Sequence, residues 1–145
     1  MAIYRPPKPR WRAAVAAGAA GVVAGVIAGI LVSRSDPDPL EAARLVQTEL
    51  DRAASTLEVV GIEYDESVDA GEVVSDAEYR GTQDALESSR RRFDDVRPAL
   101  HVLAPDRADS IDEAYVAVKG SIEARADPAL VSEEIDSLSA LLRGD

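Results

Sequence analysis

The chain has 145 residues, no cysteine, one histidine and 27 acidic against 16 basic side chains, a formal net charge of −11. Without cysteine there is no disulfide, thiolate metal site, cysteine nucleophile or covalent haem attachment, and one histidine rules out a His-rich metal site. The acidic balance argues against nucleic acid as a partner, because phosphate binding needs clustered basic side chains.

Residues 1–12 form a short arm with Arg5, Lys8, Arg10 and Arg12 and no acid. Residues 13–32 follow, twenty positions of Ala, Gly, Val, Ile and Leu alone. At 1.5 Å rise per residue such a helix covers about 30 Å, the hydrocarbon thickness of a bilayer. A helix is required there because lipid cannot satisfy open backbone groups. The rest of the chain carries 12 of the 16 basic side chains and all 27 acids. The positive-inside rule then predicts a single-pass cell-membrane protein, its N-terminus cytoplasmic and its C-terminal domain extracytoplasmic. Tyr4 and Trp11 suit the headgroup level on the basic side. A cleaved signal peptide would have an apolar region of about 7–15 residues and a small-residue cleavage site. This stretch is longer and runs into Ser33-Arg34-Ser35-Asp36-Pro37, so an uncleaved anchor is expected. No cysteine follows it, which excludes a lipoprotein. Gly21, Gly25 and Gly29 form two overlapping G-x-x-x-G units on one face, a spacing that lets helix backbones approach closely. They mark a candidate packing face for a second copy or another membrane helix, although Ala/Gly-rich spans also hold such spacings by chance.

Residues 33–38 read as a polar linker, and 39–145 as one small helical domain. Asp38 is placed as an N-cap, with Pro39 at the first helical position and Glu41 three residues after the cap. Leu40, Ala43, Val46, Leu50, Ala53, Leu57, Val60 and Tyr64 recur at steps of three and four. That is one stripe of a helix ending near 65–68. Residues 69–74 read as a loop in which Gly71 supplies the turn and takes a positive φ. Ser75 and Glu78 predict a second capping box. The next stripe is Tyr79, Thr82, Leu86, Ser89, Phe93, Val96, Leu100 and Leu103, with a kink or break expected at Pro98. Pro105 opens a third helix, striped by Ala108, Ile111, Tyr115, Val118 and Ile122. Asp127 and Pro128 open a fourth, striped by Val131, Ile135, Leu138 and Leu142 and ended by Gly144. The fold predicted is all-α, a transmembrane helix followed by an antiparallel four-helix bundle.

Residues 62–79 carry an acidic residue and Tyr, then Val, Gly and Val, then an acid–Tyr pair opening the next helix. These are Glu63, Tyr64, Val68, Gly71, Val73, Glu78 and Tyr79. The pattern resembles a segment in the extracytoplasmic N-terminal domain of bacterial high-affinity iron permeases, the oxidase-coupled iron transporter family. Residues 123–131, Glu-Ala-Arg-Ala-Asp-Pro-Ala-Leu-Val, are similar to a late helix junction of that domain. With the helix order, the resemblance spans roughly 40–143. The permease proper has many spans bearing Arg-Glu-x-x-Glu iron motifs, and this chain has neither, so transport itself is not carried over. The resemblance implies a stand-alone, membrane-tethered version of the soluble domain. Its implied role is that of an accessory in iron uptake beside an iron permease. The competing role is a structural subunit or docking scaffold of a membrane complex, with no ligand.

Glu63, Asp65 and Glu78, near Glu66, Asp69, Glu72 and Asp76, are the candidate metal ligands, since oxygen donors suit hard cations and iron is the candidate ion. The competing reading has Asp76 and Glu78 answering the helix dipole and the others solvating the loop. Tyr64 and Tyr79 are expected to pack across the first helix junction, their hydroxyls partnered. Arg90, Arg91 and Arg92 fit helix salt links to Glu87, Asp94 and Asp95. The abundant serines have no paired base, so no catalytic residue is assigned.

Overall fold

The computed structural model describes residues 38–144. The anticipated membrane helix, with Gly21, Gly25 and Gly29, lies outside them. Among the described residues no helix is long and apolar enough to cross a membrane.

Four helices follow one another: α1 Pro39–Ser67, α2 Asp76–Leu103, α3 Pro105–Glu123 and α4 Pro128–Arg143. Each packs on its chain neighbours and α1 closes the ring on α4, the arrangement of an antiparallel four-helix bundle. Two starts obey the anticipated chemistry. The Asp38 carboxylate accepts from the Leu40 N–H at 3.0 Å and that of Asp127 from the Ala129 N–H at 2.9 Å, each with proline next in line. The Ser75 start does not, because no side-chain cap bond forms there. Its backbone is engaged instead, Ser75 N–H donating to Ser67 O and its own carbonyl receiving Tyr79 N–H.

The loop between α1 and α2 is a small antiparallel hairpin, β1 Val68–Asp69 and β2 Glu72–Val73, with Asp69 paired to Glu72. Strands of two residues leave no alternation to read. Ala70 and Gly71 form the turn with φ of 48° and 81°, positive at both positions as a type I′ hairpin needs. Helix α2 runs unbroken through Pro98.

The core follows the stripes, with Leu50, Leu57, Val60, Phe93, Val96 and Leu138 shut from solvent. The outermost stripe positions depart. Leu40 is 66 % exposed and Leu103 49 % exposed. The cause is length: α1 has 29 residues and α4 has 16. The carbonyls of Leu142 and Arg143 meet the Gln47 side chain at 3.1 and 3.3 Å, so the first two turns of α1 run past the end of α4.

Candidate functional site

The hairpin closes one end of the bundle, and two tyrosines fasten it there. Tyr64, from the last turns of α1, is buried, and its hydroxyl donates to Ala126 O at 2.7 Å. Tyr79, in the first turn of α2, donates to Ile122 O at 2.8 Å. Both acceptors lie at the α3–α4 junction. The two rings therefore tie the hairpin to the other half of the bundle rather than only to each other. Burial, reinforced by Tyr79 and Asp127, raises the Tyr64 pKa, so the neutral donor form is the one held. Below the ring, Ser67 is buried and donates to Tyr64 O at 3.1 Å, while Val74 N–H donates to Ser67 O at 2.8 Å.

The junction they grip is itself a helix terminus. Arg125 N–H donates to Ile122 O and Ala126 N–H to Ser121 O, both at 3.0 Å. That is the Schellman pattern, which needs a left-handed residue after the cap. Arg125 fills that place at φ 54°, where glycine is usual. A Cβ at Gly71 would lie 3.8 Å from Arg125 O, so the two loops sit side by side.

Two of the three candidate ligands, Glu63 and Asp65, diverge. Residues two apart on a helix point about 200° apart, so Glu63 and Asp65 face different neighbours. The Glu63 carboxylate lies against Gly81 of α2, where a Cβ would come within 2.3 Å of Oε2, and that oxygen is buried with no hydrogen-bond partner. Asp65 is exposed and lines a groove toward α4 with Ile62, Pro128 and Ser132. Glu78 is half-buried in the first turn of α2. Among the described residues no three Asp, Glu or His side chains are gathered closely enough to hold a metal ion.

Sequence reasoning missed a polar layer at mid-height. Ser89 is buried and donates to Ala53 O at 2.9 Å, and its Oγ lies 2.7 Å from the Tyr115 hydroxyl. A serine has one proton, and a carbonyl can only accept, so Tyr115 is the donor to Ser89. Phe93 packs on Tyr115 with ring centroids 5.6 Å apart, and the Arg90 guanidinium covers both rings at 5.5 and 5.3 Å. Burial pushes the Tyr115 pKa up to about 12, outweighing the opposite pull of Ser89 and Arg90. Arg90 also pairs with Asp94 at 2.9 Å along its own helix and with Asp112 across to α3, where Arg97 joins at 2.9 Å. Arg91 keeps to its own helix, on Glu87 at 2.6 Å, and Arg92 reaches Glu49 of α1 at 3.6 Å. The basic run thus joins three helices. The signal was present, since Ser89 and Tyr115 both stand in apolar stripes. Ser89 bonds to two neutral partners on other helices, so this layer holds helices together.

Beside that layer a groove of about 420 Å³ opens between α2 and α3, lined by Leu86, Arg90, Tyr115, Val116, Lys119 and Ile122. At the far end of the bundle Arg107 donates to Leu141 O and Leu142 O, both at 2.9 Å, and to the Gln47 side chain at 3.2 Å, closing the last turn of α4. His101 is exposed and stands 3.8 Å from Asp109.

Set against known proteins, residues 41–144 match the iron permease-associated 4-helix bundle domain, which takes in all four helices and the hairpin. No curated protein and no solved structure matches the chain.

Proposed function

The chain belongs to the iron permease-associated 4-helix bundle domain family, and from that premise we propose that it is a membrane-tethered, extracytoplasmic accessory of iron uptake. The observation that carries this reading is the family match over the whole bundle. Residues 13–32 supply the tether and the basic arm its orientation. Its contribution is docking to a membrane protein of the uptake route, an iron permease in the first place. Docking is favoured over carrying the metal because Glu63 and Asp65 diverge, while Tyr64 and Tyr79 spend their hydroxyls on fixing the shape of the hairpin end.

Iron uptake by cells under chelator-limited iron tests this. Deleting the chain lowers uptake, and the full chain restores it. A version lacking residues 1–32 does not, because the docking surface is no longer held at the membrane. A Glu63→Gln, Glu78→Gln double variant restores uptake as well as the unmodified chain does. Unchanged uptake on deletion overturns the accessory role, and failure of the double variant alone returns the acids to metal handling.

A further inference from the structure

Val102 is 83 % exposed, more than any other large apolar side chain among the described residues, and it stands beside Leu103. The pairing of α1 with α2 fixes which end this is. Ala53 meets Ser89 and Glu49 meets Arg92, so continuing along the two antiparallel helices brings Leu40 level with Val102. Three large apolar side chains, Leu40, Val102 and Leu103, therefore crowd the end where the bundle begins, beyond the reach of α4. Water is a poor neighbour for them.

The chain that leads into this end identifies the occupant. Only residues 33–38 separate the apolar stretch from Pro39, and six extended residues reach at most about 20 Å. We propose that the end of the bundle carrying Leu40, Val102 and Leu103 rests in the headgroup layer of the phospholipid bilayer. The inference depends on the reading of residues 13–32 as the membrane span. A tether this short keeps the local concentration of lipid surface high, so a contact too weak to hold a free domain suffices. Charge sets the direction rather than the grip. Asp38, Glu41, Asp106 and Asp109 outnumber Arg44 near the apolar end, so charge gives that end no attraction for anionic lipid and its contact rests on the apolar side chains. The hairpin end is the more acidic: exposed Asp65, Glu66, Asp69, Glu72, Asp76 and Asp127 outnumber Arg80 and Arg125 there, and an anionic bilayer surface repels the excess. Helix α1 rises about 43 Å between the two ends, so contact at the apolar end leaves the tyrosine-fastened end free for a docking partner.

Because the chain has no cysteine, single cysteines can carry an environment-sensitive fluorophore in the full-length protein. Val102→Cys, Ser35→Cys, Val74→Cys and Val116→Cys are each labelled and reconstituted in phosphatidylcholine vesicles containing lipid spin-labelled at the headgroup. The expected result is strong quenching at 102, approaching that at 35, with 74 and 116 near the lipid-free baseline. Adding Leu40→Asp and Leu103→Asp, both at exposed positions, releases the 102 probe and returns its quenching to the level seen at 74. Quenching at 35 with none at 102 overturns the proposal and leaves the anchor standing. A chain that stays in the supernatant, unquenched at 35, overturns both.

Discussion

The two ends of the bundle face the same problem and solve it differently. A helix C-terminus leaves carbonyls without intrahelical partners. At the hairpin end the α3 terminus and its loop receive neutral donors, the hydroxyls of Tyr64 and Tyr79. At the other end the α4 terminus receives a guanidinium, from Arg107, and the Gln47 amide. The left-handed residue that follows each helix differs too: Arg125 after α3, Gly144 at φ 81° after α4. One end therefore carries backbone strain and rigid aromatic clamps, and the other has relaxed backbone and a flexible cationic clamp.

This difference bears on what each end does. A tyrosine has two side-chain torsions and an arginine four, so a tyrosine clamp fixes position with less lost rotamer freedom. The hairpin end is then the better candidate for a surface whose shape a partner reads. The opposite end has only to close α4, and its loose apolar fringe of Leu40, Val102 and Leu103 suits a fluid neighbour such as lipid.

Both ends hang on the layer between them, and the largest effect is expected there. Phe93 is fully buried against Tyr115, so Phe93→Ala should cost about 3–5 kcal/mol in urea unfolding and loosen both ends together. Loss confined to one end in hydrogen exchange would break the picture of two ends on a common core. Next in size is the pair of clamps. Arg107→Met removes charge-assisted bonds to two carbonyls and should cost about 2 kcal/mol. Tyr64→Phe removes one neutral bond and should cost about 1 kcal/mol. Because the Tyr64 ring stays buried, its variant should lose exchange protection only around Ala126, whereas the Arg107 variant frays the last turn of α4. Equal costs with the same exchange pattern would erase the distinction between the clamps.

Much of this architecture is legible in the residues. The pairs Asp38-Pro39 and Asp127-Pro128 start helices because a carboxylate can cap and a proline needs no N–H at the first position. The stripe through Ile111, Tyr115, Val118 and Ile122 is buried without exception. Leu40 and Leu103 fit their stripes yet stand exposed, because periodicity marks a face but not how far the facing helix extends. The tyrosine acceptors were hidden because Ala126 and Ile122 offer only backbone carbonyls, which no side-chain pattern announces. The spread of Glu63 and Asp65 was readable from their spacing. Both stand on the helix that runs to Ser67, where residues two apart point to different sides. Ser75 kept its place at the helix start without its capping bond, since the hairpin engages its backbone first.

The smallest effect gives the sharpest test of the two ends, because its sign should reverse between them. A non-glycine residue in left-handed backbone costs about 1–2 kcal/mol, part of which glycine returns as extra freedom of the unfolded chain. Arg125→Gly should therefore stabilise the bundle by about 0.5–1 kcal/mol, seen as a higher urea midpoint at unchanged slope. Gly144→Ala should do the opposite by a similar amount. Its new Cβ would also lie 3.2 Å from Arg107 Nη2, forcing that guanidinium to shift from the carbonyls it holds. The hairpin tip offers a control on the strained end: Ala70→Asn creates the Asn-Gly pair that a type I′ turn favours and should stabilise by up to about 1 kcal/mol. Ala70→Val, β-branched at positive φ, should destabilise. If Arg125→Gly and Ala70→Asn leave stability unchanged, the strain assigned to the hairpin end is absent and the two ends differ only in their clamps. If both stabilise the fold yet lower iron uptake, the strained geometry is part of the surface that the partner recognises.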